Sequence, residues 1–393
     1  MDLTIHPHLL RGSLSVIPSK SQAHRFLIAA AFADGPTDLI CSETNSDMDA
    51  TADCLRALGA GIQKSESGYR VTPAKDIPAQ AQLPCRDSGS TLRFLLPVAG
   101  ALGVDATFLL EGRLPSRPLS PLWEEMERMG CRLSRPSGTT IRCEGRLLPG
   151  IYSIDGGVSS QFITGLLFAA ALIPGSAQVQ VTGTLESKPY VEMTRKVLKQ
   201  FSPVSPSGGR LHSPGRLQVE GDWSNAAFFL TANFLGSQVK IQNLREDSSQ
   251  GDRAIGALLQ KMPDCPEISV ADIPDLTPIL AVAAACSHGA VFRDIRRLRL
   301  KESDRVESIL SMIRSLGGRG EAAGSCLTIE GTSLRGGTVD ARNDHRIAMA
   351  AAIAATAAKN DVTILGADCV SKSYPGFFQE FRRLGGIYEQ YIR

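Results

Sequence analysis

The chain has 393 residues, a formal net charge of +2 and 43% hydrophobic residues. That is too long for one ordinary domain and long enough to bury two cores. The near-neutral balance excludes nucleic-acid binding by bulk charge, so any anion recognition has to be local. Residues 1–6 lack a basic region followed by a long apolar one, and no signal peptide is expected. The longest apolar run, near 162–174, is broken by Gly and polar residues and is too short to span a bilayer, so no membrane partner is expected. Nine scattered cysteines form no Cys-x-x-Cys pair, and six histidines form no His-x-x-x-His pair. The pattern reads as reduced thiols in a cytoplasmic protein without a metal site.

In chain order, strand-like text (Leu3-Thr4-Ile5 and Leu14-Ser15-Val16-Ile17) precedes the first helix start, Ser19-Lys20-Ser21-Gln22-Ala23-His24-Arg25. An Ala-rich apolar run follows and Gly35 closes it, as expected of a helix whose first turn faces an anion. This frame returns five times. The later starts are Asp87-Ser88-Gly89-Ser90-Thr91, Gly157-Val158-Ser159-Ser160-Gln161, Gly221-Asp222-Trp223-Ser224-Asn225, Asp272-Ile273-Pro274-Asp275 and Asn343-Asp344-His345-Arg346. With markers at 20, 88, 159, 223, 275 and 344, the steps are 68, 71, 64, 52 and 69 residues. Between them lie amphipathic, charged helices expected over 46–58, 118–129, 190–201, 252–262, 302–316 and 374–384. Gly59, Gly130, Gly317 and Gly385 stand where a left-handed C-cap belongs.

The intervening fragments alternate as strands do, for example Ser67–Thr72 and Gly138–Cys143. Each unit reads as β-α-β-α-β-β, and the class is α/β. The chain begins with strand text and ends soon after its last amphipathic helix. The last unit therefore lacks its closing strands, and the N-terminus is expected to supply them. Residues 1–18 plus 221–393 then form a discontinuous outer domain of three units, and residues 19–220 form an inserted domain of three. The apolar frame repeats while the polar helix starts differ. That suggests one scaffold presenting different chemical groups to one cleft.

Lys20, Arg25, Arg117, Lys301, Arg305, Arg346 and Lys372 all sit at helix starts, the unfavourable end of the dipole for a cation. Their number suits a ligand set with several phosphates or carboxylates, held bidentately by Arg and as point charges by Lys. Asp275, Glu302 and His345 are the candidates for proton transfer.

These motifs together resemble the 5-enolpyruvylshikimate-3-phosphate (EPSP) synthase family. The resemblance runs through Ser19-Lys20-Ser21-x-x-x-Arg25, Ser88-Gly89-Ser90, Arg117-Pro118, Ser159-Ser160-Gln161, Ser187-Lys188-Pro189-Tyr190, Glu220-Gly221-Asp222, Pro274-Asp275, Lys301-Glu302-Ser303-Asp304-Arg305, Asn343-Asp344-His345-Arg346 and Lys372. It implies two inverse α/β domains, each of three βαβαββ repeats, which is the enolpyruvyl transferase fold. It implies transfer of the enolpyruvyl group of phosphoenolpyruvate to the 5-hydroxyl of shikimate 3-phosphate, with release of phosphate through a tetrahedral intermediate. That reaction belongs to the shikimate pathway of aromatic amino acid biosynthesis, and the resemblance implies no metal or organic cofactor. A cytoplasmic monomer with small-molecule substrates and no nucleic-acid partner is expected.

By the same resemblance, Asp275 is the base for the hydroxyl proton. Glu302 is the acid and later base at C3, with Lys20 as an alternative proton carrier. Phosphoenolpyruvate falls to Lys20, Gly89 (through its backbone), Arg117, Gln161, Arg305, Arg346 and Lys372. Shikimate 3-phosphate falls to Lys20, Ser21, Arg25, Ser159, Ser160, Gln161, Ser187, Tyr190, Asp275 and Lys301. Clustered cations repel when no anion is bound, so an open empty state that closes on binding is expected.

Some positions depart from the family's usual pattern. Asp87 stands for Asn, Ser90 for Thr and Phe94 for Pro, and Arg297 stands where Asn or an acid is common. Gly89 leaves room for a phosphate, so glyphosate is expected to inhibit as a phosphoenolpyruvate mimic. Phe94 could tilt its helix and weaken this. Asp47, Asp49 and Glu192 read as solvated helix faces. The sister family, UDP-N-acetylglucosamine enolpyruvyl transferase, opens with Lys-Asn and carries a Cys or acid on the loop before its Arg-Pro step. Here the pair is Lys20-Ser21, and 111–117 holds no Cys. A non-catalytic repeat scaffold would need neither Asp275 nor Glu302 beside so many cations.

Overall fold

A computed structural model describes residues 1–202 and 211–391. The chain divides into two compact units, Met1–Ile17 with Gly221–Arg393 and Pro18–Glu220. In the Pro18–Glu220 unit the helices are α1 (Lys20–Ala31), α2 (Ser46–Ala57), α3 (Gly89–Leu102), α4 (Leu122–Arg128), α5 (Ser160–Leu172) and α6 (Lys188–Gln200). In the other they are α7 (Trp223–Phe234), α8 (Ile255–Lys261), α9 (Thr277–Ala285), α10 (Arg305–Ser315), α11 (His345–Ala355) and α12 (Phe377–Arg383). None is long and apolar enough to cross a membrane.

The helix starts follow local chemistry. Asn45, Ser88, Ser159, Asp222, Asp304 and Asp344 each accept a hydrogen bond from a backbone N–H of the first turn they precede. Several amphipathic helices begin later than their charge pattern suggests. Asp304 takes the cap of α10, so Lys301 and Glu302 lie on the loop before the helix rather than in its first turn. Pro121 occupies the cap position of α4, and Gly376 that of α12. Residues 251–254 form a 3-10 turn ahead of α8. Gly59, Gly130, Gly317 and Gly385 all have positive φ, from 82° to 110°, the left-handed conformation that only glycine adopts cheaply.

Among the described residues, each unit contains two four-stranded sheets and one parallel strand pair. Gln80–Arg86, Asp105–Leu110, Thr140–Gly145 and Cys131–Ser137 lie side by side in that order, the first pair parallel and the rest antiparallel. Between the parallel pair runs α3, a βαβ crossover. The same plan holds for α9 between Glu267–Ser269 and Gly289–Arg293, and for α11 between Gly337–Asp340 and Val362–Leu365. It also holds for α5 between Gly150–Asp155 and Ala177–Thr182.

Two repeats are completed by distant chain. Arg216–Gln218 pairs in parallel with Thr37–Ile40, the strand after α1, and Arg11–Ser15 pairs in parallel with Gln238–Gln242, the strand after α7. The last repeat differs from expectation. Its own C-terminal strand, Ile387–Tyr391, is present, and only the central closing strand comes from the N-terminus. Asp2–His6 lies between Val362–Leu365 and Ile387–Tyr391, with Leu3 opposite both Ile364 and Gln390.

A helix that is apolar all round must be buried all round. All nine residues of α9 and all eleven of α11 are buried, and so are ten of the twelve in α1. Alanine dominates them because small side chains let packed helices approach closely. Each unit has its own apolar core. At the centre of the Pro18–Glu220 core, a Cβ on Gly165 of α5 would lie 2.3 Å from the backbone oxygen of Arg93 in α3, so only glycine permits this crossing. All nine cysteines are free thiols.

Candidate active site

In the Pro18–Glu220 unit, the polar residues gather at the N-terminal ends of α1, α3 and α5. Lys20 is the first residue of α1, and its Nζ lies 2.9 Å from the Asp47 carboxylate in the first turn of α2. The two side chains are 14% and 18% exposed, so Asp47 does not sit on a solvated face. Asp49 and Glu192 are different. Asp49 pairs with Lys64 at 3.3 Å and accepts from the Tyr69 hydroxyl, while Glu192 pairs with Arg195 on an exposed face.

Gly89 opens α3. A Cβ there would lie 2.6 Å from Arg117 Nη1, so the missing side chain lets the guanidinium rest against the helix start. The Nε of Arg117 is buried without a hydrogen-bond partner. Ser159 caps α5 through the Gln161 N–H, and Ser160, buried, is that helix's first residue. The Gln161 amide donates to Ser90 Oγ at 2.9 Å and accepts from Arg93 Nη1 at 2.8 Å. Ser187 holds a left-handed φ of 55° just before α6, and its carbonyl accepts from the Tyr190 N–H.

Arg25 is 2% exposed and directs its donors into the protein. They reach Thr194 Oγ1 (2.8 Å), the Ser21 carbonyl (2.6 Å), Thr164 Oγ1 (3.2 Å) and the Tyr190 carbonyl (3.1 Å). Its guanidinium carbon lies 5.0 Å from the Phe94 ring centroid. Phe94 also meets the His24 ring edge-on at 6.2 Å. The aromatic side chain is thus seated on two α1 residues.

In the other unit, Asp275 precedes α9 and faces three cations. Arg305 Nη1 lies at 2.7 Å, Arg346 Nη2 at 3.1 Å and Lys301 Nζ at 3.6 Å. Burial alone would raise this carboxyl, but Arg346, Lys301 and Arg305 outweigh it and hold Asp275 well below the usual carboxylate range. Arg305, 1% exposed, directs Nη2 to Glu302 (2.6 Å) and Nε to the fully buried Asp344 (2.9 Å) as well. One guanidinium therefore orients both proposed proton-transfer carboxylates. Burial pushes Lys301 down to about 8, against the pull of Asp275, and Arg305 and Arg297 push the same way. His345, buried, is the first residue of α11. Lys372 lies 3.2 Å from the Asn343 carbonyl, on the turn before that helix.

Within each unit many of the expected residues gather near helix starts, but Lys301 and Glu302 lie on the loop before α10, Arg117 follows the 3-10 turn Leu114–Ser116 ahead of α4, and Lys372 ends the 3-10 segment Ala367–Lys372 ahead of α12. Two further participants were not expected from sequence. Arg93 sits in the second turn of α3 and holds both Gln161 and the Pro118 carbonyl (3.2 Å). Its place one turn after Gly89 is the only signal the sequence carries. Asp252, 2% exposed, accepts from the Ser224 hydroxyl, and burial together with Asp275 pushes it up to about 7.

Comparison with solved structures defines the class. The fold matches EPSP synthase from Acinetobacter baumannii with a TM-score of 0.80 at 22% identity, covering 99% of this chain and 100% of that one. It matches the enolpyruvyl transferase NikO from Streptomyces tendae with a TM-score of 0.74 at 17% identity, covering 99% and 98%. The fold is that of the enolpyruvyl transferases.

Sequence similarity narrows this. The family model for EPSP synthase (3-phosphoshikimate 1-carboxyvinyltransferase) matches residues 6–381. The 3-phosphoshikimate 1-carboxyvinyltransferase of Clostridium kluyveri is 35% identical over 419 residues, covering 99% of this chain and 98% of that protein. That of Clostridium beijerinckii is 34% identical over 429 residues, covering 99% of each. The chain belongs to the EPSP synthase family.

Proposed function

We propose that this chain transfers the enolpyruvyl group of phosphoenolpyruvate to the 5-hydroxyl of shikimate 3-phosphate. The 5-oxygen forms a bond to C2 of phosphoenolpyruvate while its proton passes to Asp275, and C3 gains a proton from Glu302 or Lys20. The C2–O bond to phosphate then breaks, C3 loses a proton, and inorganic phosphate leaves. His345, at the head of α11, is the remaining candidate for proton transfer. Lys20, Gly89, Arg117, Gln161, Arg346 and Lys372 receive phosphoenolpyruvate. Ser21, Ser159, Ser160, Ser187, Tyr190 and Lys301 receive shikimate 3-phosphate. Arg305 and Arg25 act chiefly by orienting their neighbours, because their donors already reach protein groups.

The observation that carries this reading is the carboxylate of Asp275 held among Arg305, Arg346 and Lys301. Three cations around one carboxylate lower its basicity, so it is a poor base as long as they are unneutralised. Anionic substrates neutralise them and return basicity to Asp275 when a hydroxyl is present to be deprotonated. Cations that shift from Asp275 to the leaving phosphate also stabilise the charge that develops there.

Asp275→Asn separates the roles. Turnover should fall roughly 10²- to 10⁴-fold, the usual size of a general-base contribution. Calorimetric affinity for shikimate 3-phosphate should be kept or tightened, because a negative charge has been removed. Equal losses in affinity and turnover would make Asp275 a ligand contact only.

A further inference from the structure

Lys20 has four rotatable side-chain bonds, and freezing such a chain in one geometry requires a fixed partner. Asp47 has the attributes of one. Its carboxylate stands 2.9 Å from Lys20 Nζ, and it sits in the first turn of α2, where the helix dipole favours an anion. That turn is itself pinned. Asn45 caps it through the Met48 N–H at 3.0 Å. The Asp47 carbonyl accepts from Thr91 Oγ1 of α3 at 3.4 Å.

From Thr91 a chain of hydrogen bonds returns to the helix that carries Lys20. Thr91 and Thr51 hydroxyls are 2.7 Å apart, and Thr51 Oγ1 lies 2.6 Å from His24 Nδ1. His24 is one turn after Lys20 on α1. The proton order follows from the end of the chain. A carbonyl only accepts, so Thr91 gives its proton to Asp47 or to Ser88 Oγ (2.8 Å). Thr51 then donates to Thr91 and accepts from His24 Nδ1–H. A neutral imidazole does this as its Nδ1–H tautomer. Its burial, with Lys20 and Arg25 nearby, keeps His24 well below its ordinary pKa. The path Lys20, Asp47, Thr91, Thr51, His24 therefore closes on itself through α1, with each joint buried or partly buried. The other carboxylate of this turn, Asp49, faces Lys64 and Tyr69 instead.

We infer that Asp47 is the positioning residue for Lys20. It holds the ammonium in the geometry the transfer needs, and the threonine–histidine relay fixes α2 against α1 so that this geometry is kept. The inference rests on the reading above that Lys20 serves the transfer.

The test compares Asp47→Asn, Asp47→Glu, Lys20→Ala and the Lys20→Ala/Asp47→Asn double variant of the full chain. The readouts are kcat, KM for phosphoenolpyruvate, and melting temperature. Asp47→Asn should lower kcat about 10- to 100-fold, the cost of misplacing a reacting group by about 1 Å. KM for phosphoenolpyruvate should rise less than in Lys20→Ala, since the ammonium is displaced and not removed. Asp47→Glu, which keeps the charge on a longer arm, should recover part of the loss. The double variant should be no worse than Lys20→Ala alone, because a residue acting only through Lys20 has nothing left to position.

An active Asp47→Asn beside an inactive Lys20→Ala overturns the inference alone. So does a double variant whose losses multiply. A fully active Lys20→Ala removes both the inference and the role of Lys20 it rests on. If the Asn variant loses its fold, Asp47→Glu decides: kcat below wild type at an unchanged melting temperature supports the inference, and wild-type kcat overturns it.

Discussion

Asp275 holds its carboxylate in conditions that oppose the work assigned to it. In the absence of anions the three facing cations keep it ionised far into acid. A profile of kcat/KM, which reports the free enzyme, should therefore show no acid limb from Asp275 above about pH 4. With substrates bound the cations are engaged elsewhere and its pKa rises. The acid limb of kcat should then lie at higher pH than that of kcat/KM, and coincident limbs would count against the account. Lys301 works in the opposite sense. At about 8 it is largely deprotonated at pH 8.5 and charged at pH 6.5. A bound phosphate raises it, so Lys301 should take up as much as ~0.8 proton when shikimate 3-phosphate binds at pH 8.5 and almost none at pH 6.5, where the phosphate's own second ionisation instead releases protons. Calorimetry in buffers of different ionisation enthalpy measures this directly.

Gly89 gives a third residue-level expectation. A methyl group there meets Arg117 Nη1 at 2.6 Å, the far end of a flexible side chain, so the arginine moves and the fold stays. Gly89→Ala should leave the melting temperature within about 2 °C while KM for phosphoenolpyruvate rises about 10-fold, as expected when one charged contact weakens by about 1.4 kcal/mol. The inhibition constant of glyphosate should rise with it. Phe94 packs on Arg25 and His24 inside the helix turn, and glyphosate competition against phosphoenolpyruvate in the wild-type chain measures how much that packing matters.

At the scale of elements, function depends on how helix starts are tied together. Asp344 is fully buried, caps α11, and pairs with Arg305, which in turn orients Asp275 and Glu302. Removing one partner of a buried pair leaves the other charge unpaired. Asp344→Ala should cost about 3–5 kcal/mol in urea denaturation, besides disordering both carboxylates. Gly165 plays the matching part between α3 and α5, and its replacement by Ala should displace Arg93 and Gln161 at a cost of about 1–3 kcal/mol.

The helix starts were legible in the sequence because each carries an apolar run and, in many cases, a capping residue or a closing glycine, although Ser19 makes no side-chain cap bond to α1 and α9 follows Leu276, which has none to make. Their cross-links were not. Nothing in the text around Arg25 says that Thr164, Thr194 and Tyr190 will meet its guanidinium. Asp47 reads like any charged residue in a first turn until α1 and α2 are packed. Local periodicity fixes which face of a helix is buried, whereas partner choice depends on packing between segments far apart in sequence. The late start of α10 is a smaller case: Glu302 suits a helix, but Asp304 is the better cap.

At the scale of the whole molecule, a repeated βαβαββ frame is built twice, with the chain passing between units near 17–18 and 220–221. The repeat could be read from spacing alone. Which strand fills which gap could not, because short β-branched segments such as Asp2–His6 and Ile387–Tyr391 serve equally well as either closing strand until register is set. Each unit keeps its own core, so within each unit the differing polar helix starts are carried on one packed frame. Ligands that bind only the folded chain should raise its melting temperature in proportion to the logarithm of their concentration.

The central claim is that these helix starts serve one transfer from phosphoenolpyruvate to shikimate 3-phosphate. The most direct measurement is inorganic phosphate released from phosphoenolpyruvate with and without shikimate 3-phosphate. The account predicts release that depends on shikimate 3-phosphate, with one enolpyruvyl ether formed per phosphate, and loss of both in Asp275→Asn. Phosphate release that ignores shikimate 3-phosphate, or no release with both substrates present, would contradict it.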